Sequence, residues 1–285
     1  MKTLLADGVE TEQTFIFISY VAEMENLLLV SEEGLILSLC LLRISCVALS
    51  KDEEIQPVGD IEGGILNCAW SYDQEMLLII TKSGSLVLLN NSFEVLNEAQ
   101  LEDLHPDSTP FSVLLSWRSD GENVSISYLQ ASGARCIRVL TKELEPFSIS
   151  SLPPLPLTPS RNVNGTECRG LQRALSWNPD HSLIATVQEE RGRTQVSFLE
   201  KNGLRHGEFA LGALQHGAVA YNSAGDILAV TGELEGESVL QLWTRNNYHW
   251  YKKLERRYAV PVVAALWDLV DEARLSVLHE VPVAP

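Results

Sequence analysis

The sequence predicts an all-β chain, a WD40-like β-propeller of about six blades, on three observations. A β-rich run closes on an aromatic residue five times, a polar turn follows each one, and a second apolar run follows each turn. The aromatic marks are Trp70, Trp117, Trp177, Tyr221 and Trp267. The steps between them (70 to 117, 117 to 177, 177 to 221, 221 to 267) are 47, 60, 44 and 46 residues. A propeller blade repeats every ~40–45 residues, whereas a β-sandwich, the competing architecture, predicts no fixed aromatic spacing.

Each unit reads as strand, turn, strand. The first marked unit runs from Ile65 to Trp70, turns through Asp73, and continues from Met76 to Ile80 and from Leu86 to Leu89. The next three repeat this around Trp117-Arg-Ser-Asp120-Gly121, Trp177-Asn-Pro-Asp180 and Tyr221-Asn-Ser-Ala-Gly225. A fifth, from Val262 to Trp267 and on to Leu278, is cut short by the chain end. Upstream, the apolar runs Phe15–Ile18, Leu27–Val30 and Leu35–Leu39 predict one more blade without an aromatic mark. One such sheet cannot bury both faces, so the units are expected to stack radially, with the indole closing each second strand filling the gap between neighbouring sheets. The ragged ends predict either one propeller domain over residues 1–285 or a portion of a larger one. The single long step holds residues 146–169, where Pro153, Pro154, Pro156 and Pro159 remove backbone donors; a surface insertion between blades is expected there.

Composition bounds the function. With 38 acidic against 21 basic residues the formal charge is −17, so the far field repels phosphate backbones. Five cysteines without a Cys-x-x-Cys pair point to a reducing compartment, and neither a secretory leader nor a membrane-spanning run is expected. No phosphate-binding glycine loop occurs, and six dispersed histidines give no ligand set, so no metal, no cofactor and no catalytic residue is predicted. Ser223 sits in a near match to a nucleophile elbow whose first glycine is a tyrosine, and it reads as a blade turn. His279-Glu280 opens like a zincin motif but lacks the second histidine.

One segment stands out against the acidic background. From Trp243 to Tyr258, aromatic residues interleave with Arg245, Lys252, Lys253, Arg256 and Arg257. These five cations are candidate contacts for tRNA or a protein partner, since such a mixture can stack on bases and hold phosphates or face an acidic groove. The plainer reading packs Trp250 and Tyr258 within the sheets and leaves the cations in water.

Particular blocks carry a family resemblance. Phe198-Leu-Glu-Lys-Asn-Gly203-Leu-Arg-His206-Gly-Glu-Phe209, followed by Leu240-Gln-Leu-Trp243 and Asn247-Tyr-His-Trp-Tyr251, is similar to the N-terminal propeller of the IKAP family, the largest subunit of the Elongator complex. Gly63-Gly-Ile-Leu before Trp70, Trp117-Arg-Ser-Asp120-Gly121, and Ala174 to Thr186 resemble the same region, so the likeness runs from Leu27 to His279. The resemblance implies a non-catalytic scaffold that organises the complex around a separate catalytic subunit, in the cytoplasm and in the nucleus as well. That catalytic subunit builds the carboxymethyl-type side chain on the tRNA wobble uridine. The resemblance further implies other Elongator subunits as partners, tRNA contacted indirectly or weakly, and no membrane. The family's second propeller, helical solenoid and dimerisation region are missing from this sequence.

Overall fold

The computed structural model describes residues 3–5, 9–11, 14–40, 55–110, 112–152, 175–190, 193–247, 249–268, 271 and 273–279. Among them every regular element is a strand and none is helical. A short ribbon pairs β1 (Thr3–Leu5) with β2 (Val9–Thr11). Five four-stranded antiparallel sheets follow, each a meander in chain order. The first holds β3 (Phe15–Val21), β4 (Asn26–Ser31), β5 (Leu35–Cys40) and β6 (Ile55–Asp60). The second holds β7 (Ile65–Trp70), β8 (Met76–Thr81), β9 (Ser85–Asn90) and β10 (Val95–Gln100). The third holds β11 (Leu114–Trp117), β12 (Asn123–Leu129), β13 (Arg135–Thr141) and β14 (Pro146–Leu152). The fourth holds β15 (Leu175–Trp177), β16 (Leu183–Glu190), β17 (Arg193–Glu200) and β18 (Arg205–Gly212). The fifth holds β19 (Gln215–Tyr221), β20 (Ile227–Leu234), β21 (Glu237–Asn246) and β22 (His249–Tyr258). The sixth sheet has two strands, β23 (Val262–Trp267) and β24 (Leu275–His279).

Residues 1–115 and 116–285 form two compact units. In the first, Val21, Leu28, Val30 and Ile36 of the first sheet pack with Ile65, Cys68, Leu77 and Ile79 of the second. The apolar run of β8 is buried from Leu77 to Thr81, while β10 is exposed at five of its six positions. Within that sheet the middle strand is buried and the last strand forms an exposed edge.

The aromatic marks end the first strand of each sheet, not the second as the sequence suggested, and the turn after them follows one template. The residue after the mark donates its N–H to the carbonyl six residues beyond the mark: Ser71 to Met76 (2.7 Å), Arg118 to Asn123 (2.9 Å), Asn178 to Leu183 (2.8 Å) and Asn222 to Ile227 (3.0 Å). The residue four beyond the mark is left-handed each time: Gln74 (φ 60°), Gly121 (72°), His181 (66°) and Gly225 (75°). Val21 holds this place in the unmarked first sheet, since Glu25 four residues on has φ 51° and donates to the Ala22 carbonyl at 3.3 Å. A small buried aliphatic thus substitutes for the ring. After Trp267 the template is one residue longer, Asp268 N–H reaching the Arg274 carbonyl at 2.9 Å.

One boundary needs correction. Residues 146–152 of the expected insertion form β14, paired with β13 from Arg135↔Leu152 to Leu140↔Pro146. Proline is tolerated there because Pro146 is the first residue of an outermost strand, where one missing donor breaks no interior ladder. Residues 153–169 of the expected insertion lie outside the described residues.

Within the second unit, polar side chains stitch sheets three and four. The Arg135 guanidinium, 3% exposed, donates from Nε to Ser127 Oγ (2.9 Å), from Nη1 to the Val187 carbonyl (2.7 Å) and from Nη2 to Thr186 Oγ1 (2.8 Å). Burial pushes its pKa down to about 10, so it still carries its charge at neutral pH. Ser148 Oγ and Ser150 Oγ of β14 donate to the carbonyls of Lys201 and Gly203 at 2.5 and 2.7 Å.

Candidate interaction surface

The cation-bearing segment folds as the hairpin β21–β22, and its register decides which side chains share a face. Trp243 pairs with Lys252, Arg245 with Trp250, Gln241 with Glu255, and Val239 with Arg257. A bulge between Leu242 and Trp243 leaves Lys253 as the extra residue, after which Leu254 pairs with Leu242 and Arg256 with Leu240. Side chains alternate across a strand and paired residues share a face. Arg245, Lys252 and Arg257 therefore lie on one face with Trp243 and Trp250, Arg256 lies on the other with Tyr251, Leu254 and Tyr258, and Lys253 sits at the bulge. The five sequence-selected cations are divided rather than gathered.

The first face turns toward the fourth sheet and packs. Trp250 stacks on Phe198 of β17, with ring centroids 4.9 Å apart and planes 6° from parallel, and lies 5.4 Å from Phe209 of β18. Trp243 sits 4.4 Å from Phe209, and its Nε1–H donates to Gln241 Oε1 at 3.0 Å. Both indoles are half-buried and engaged in ring contacts between the two sheets. Two of the cations beside them are paired: Lys252 with Glu255, and Arg257 with Glu235 (3.1 Å), Glu237 (3.6 Å) and Glu255 (3.6 Å). The Lys252 hydrogen bond holds the Glu255 carboxyl below the usual carboxylate range. Among the described residues neither Lys253 nor Arg256 forms an ion pair. Glu235 and Glu237 flank the β20–β21 turn, and only the pairing register brings them to Arg257.

The five aromatic marks stand at equivalent places. Trp117, Trp177 and Tyr221 are buried, and Trp70 lies 6.4 Å from Phe93 in an edge-on contact. Trp267 donates Nε1–H to the Ala220 carbonyl at 3.0 Å, tying the sixth sheet to the fifth. Burial raises the Tyr221 phenol pKa. Turns of neighbouring sheets also meet: His181 Nε2 lies 2.7 Å from Ser119 Oγ and its Nδ1 3.5 Å from Asp120 Oδ2. Asp120 is held below the usual carboxylate range because Arg118 and the Glu122 amide outweigh the upward push of burial.

The serine and histidines that the sequence motifs and spacing single out stay apart from one another. Ser223 lies inside the fifth-sheet turn with its hydroxyl buried, His206 lies 3.3 Å from Glu200, and His279 lies 4.7 Å from Tyr258. Among the described residues no group of three His, Cys, Asp or Glu side chains is placed to hold a metal ion.

The blade architecture has counterparts among solved structures. The WD40 domain of coronin from Toxoplasma gondii superposes with a TM-score of 0.58 at 11% identity, over 85% of this chain and 58% of that one. A chain of the mitotic checkpoint complex does so with a TM-score of 0.62 at 14% identity, over 94% and 73%. The fold is a WD40-like β-propeller. The family model described as the ELP1 first N-terminal beta-propeller matches residues 3–113 and 105–269. The chain belongs to that ELP1 propeller family. Elongator complex protein 1 of Mus musculus is 31% identical over 281 residues, covering 79% of this chain and 20% of its own length. The protein of that name from Rattus norvegicus is 30% identical over 278 residues with the same coverage, and that of Saccharomyces cerevisiae is 27% identical, covering 86% and 22%. The chain thus spans about a fifth of the length of the curated ELP1 relatives it matches.

Proposed function

We propose that this chain is a non-catalytic scaffold segment of the Elongator complex, supporting modification of the tRNA wobble uridine. The family match across residues 3–113 and 105–269 carries the reading. The geometry agrees with it: polar side chains are spent on blade turns and seams, and the indoles on packing between sheets. On this reading the partners are the other Elongator subunits, including the one that does the chemistry, and the site of action is the cytoplasm, with the nucleus as a second location. The test is affinity capture of the tagged chain from cells. Recovery of other Elongator subunits at above-background ratios is expected; capture of none of them defeats the proposal.

A second reading has one observation in its favour, the two cations Lys253 and Arg256, which form no ion pair among the described residues on an otherwise acidic chain. It makes Arg245, Lys252, Lys253, Arg256 and Arg257 a direct tRNA contact. Such binding must weaken steeply with salt, and neutralising the five must flatten that dependence. Filter binding of tRNA at two salt concentrations decides it, and affinity indifferent to both changes dismisses it.

A further inference from the structure

The turns after β11 and β15 bring a hydroxyl, an imidazole and a carboxylate together in series. Ser119 Oγ lies 2.7 Å from His181 Nε2, and His181 Nδ1 lies 3.5 Å from Asp120 Oδ2, although Ser119 and His181 are 62 residues apart in sequence. Arg118 holds the same carboxylate, Nε to Oδ1 and Nη2 to Oδ2, at 2.7 Å each. Burial pushes the Asp120 pKa up, but Arg118 and the Glu122 amide outweigh it, so the group is an anion at neutral pH. An anion facing Nδ1 selects the imidazole tautomer with its proton there, which leaves Nε2 free to accept. The Ser119 proton has a second acceptor in the Pro179 carbonyl, but at 3.3 Å against 2.7 Å. The shorter bond prevails, and the hydroxyl aims its proton at a base.

Holding two turns together does not require this chemistry. In the second sheet Gln74 fills the place of His181, with φ 60° against 66°, and clasps the preceding sheet through a neutral amide. Its Nε2 donates to the Tyr20 carbonyl at 2.6 Å, and its Oε1 accepts from the Ala22 N–H at 2.9 Å. In the third and fifth sheets glycine serves at that place. The fourth puts an imidazole there, between a hydroxyl and a carboxylate. The assembly is open to solvent, since Ser119 is half-buried and the Asp120 and His181 side chains are 28% and 40% exposed.

We propose that Ser119 is a nucleophile activated by His181, with Asp120 as the positioning residue, and that it takes the acyl group of small carboxylic esters. As Ser119 Oγ bonds the acyl carbon, its proton passes to His181 Nε2, and the same proton leaves with the alcohol as the ester C–O bond breaks. A water that gives a proton to Nε2 then attacks the acyl-serine. The acyl group departs as the carboxylic acid, and Ser119 recovers its proton from Nε2, so that ester plus water gives acid plus alcohol. The scaffold reading places the tRNA reaction in another subunit; this inference goes beyond it and does not rest on it.

The test treats the 285-residue chain with p-nitrophenyl acetate and, separately, with a fluorophosphonate, and locates the modified residue by peptide mass spectrometry. Ser119 is expected to react about a hundredfold faster or more than any other serine, a comparison within the unaltered chain that depends on no variant folding. His181→Gln, which installs the side chain that Gln74 carries at the same turn position, should remove that advantage. Asp120→Asn should slow the reaction about tenfold or more by releasing the tautomer, and Asp120→Glu should recover part of the rate. Ser119 reacting no faster than other serines, acetyl groups found on lysine or histidine alone, or an unchanged rate in His181→Gln or Asp120→Asn overturns the proposal. Subunit capture and Ser119 labelling are separate readouts, so the failure of either leaves the other standing.

Discussion

Neighbouring aromatic side chains on β22 have opposite fates, and the difference is measurable. Trp250 is stacked between sheets, whereas Tyr251, one residue on, faces water. Trp250→Ala is expected to cost about 2–3 kcal/mol, because it removes both apolar burial and a stacked pair, and Tyr251→Ala under about 0.5 kcal/mol. Urea unfolding midpoints of the two variants check the contrast. Glu255 gives a pH signature. Its folded pKa is depressed by the Lys252 hydrogen bond, so the folded chain binds fewer protons than the unfolded one near the ordinary carboxylate pKa. Its contribution is present above about pH 4.3 and is lost as pH falls through the depressed value. Discounted for solvent screening, Glu255→Gln should cost about 0.5 kcal/mol at pH 7 and nearly nothing at pH 3. Equal costs at both pH values would show that the pair contributes nothing.

Among the elements, the shared turn template has a consequence for glycine. Gly225 has φ 75°, and a Cβ there would lie 2.5 Å from Asn178 Oδ1 in the neighbouring sheet's turn. Gly133 in the β12–β13 hairpin has φ 83° with nothing within 4 Å. Gly133→Ala therefore carries only the cost of left-handed backbone, about 1 kcal/mol, and Gly225→Ala that cost plus a displaced turn, about 2 kcal/mol or more. Thermal melts of both variants test whether the turns interlock; equal shifts would mean they do not. This level of structure was partly legible in the sequence. Trp117, Trp177 and Tyr221 announced their strands because large rings at fixed intervals have few other uses. Val21 was invisible, since an aliphatic residue in the same role looks like any other. Gln74 and His181 adopt the left-handed conformation without being glycine, so the turn recurs where its usual residue does not. Residues 146–152 fall within the expected insertion because the prolines from Pro153 onward mark a break without showing where the strand before them ends. The pairing of Arg257 with Glu235 and Glu237 depended on a hairpin register and a bulge, which composition does not reveal.

For the molecule as a whole, charge governs behaviour in solution. At −17 the chains repel one another, and that repulsion vanishes near the sequence isoelectric point of about 4.7. Light scattering should rise as pH approaches that value and fall again below it; a flat profile would show that charge is not what keeps the chains apart. The family match and the WD40-like neighbours place the fold securely among propellers, and the chain's share of its relatives' length makes partners the natural question. The sealed Arg135 supplies a way to watch the interior while that question is asked. Its Nε proton, shielded from water and held by Ser127, should exchange with solvent orders of magnitude more slowly than those of surface guanidinium groups. A single resonance in an arginine side-chain spectrum would then act as a built-in gauge of whether sheets three and four stay shut when a ligand arrives.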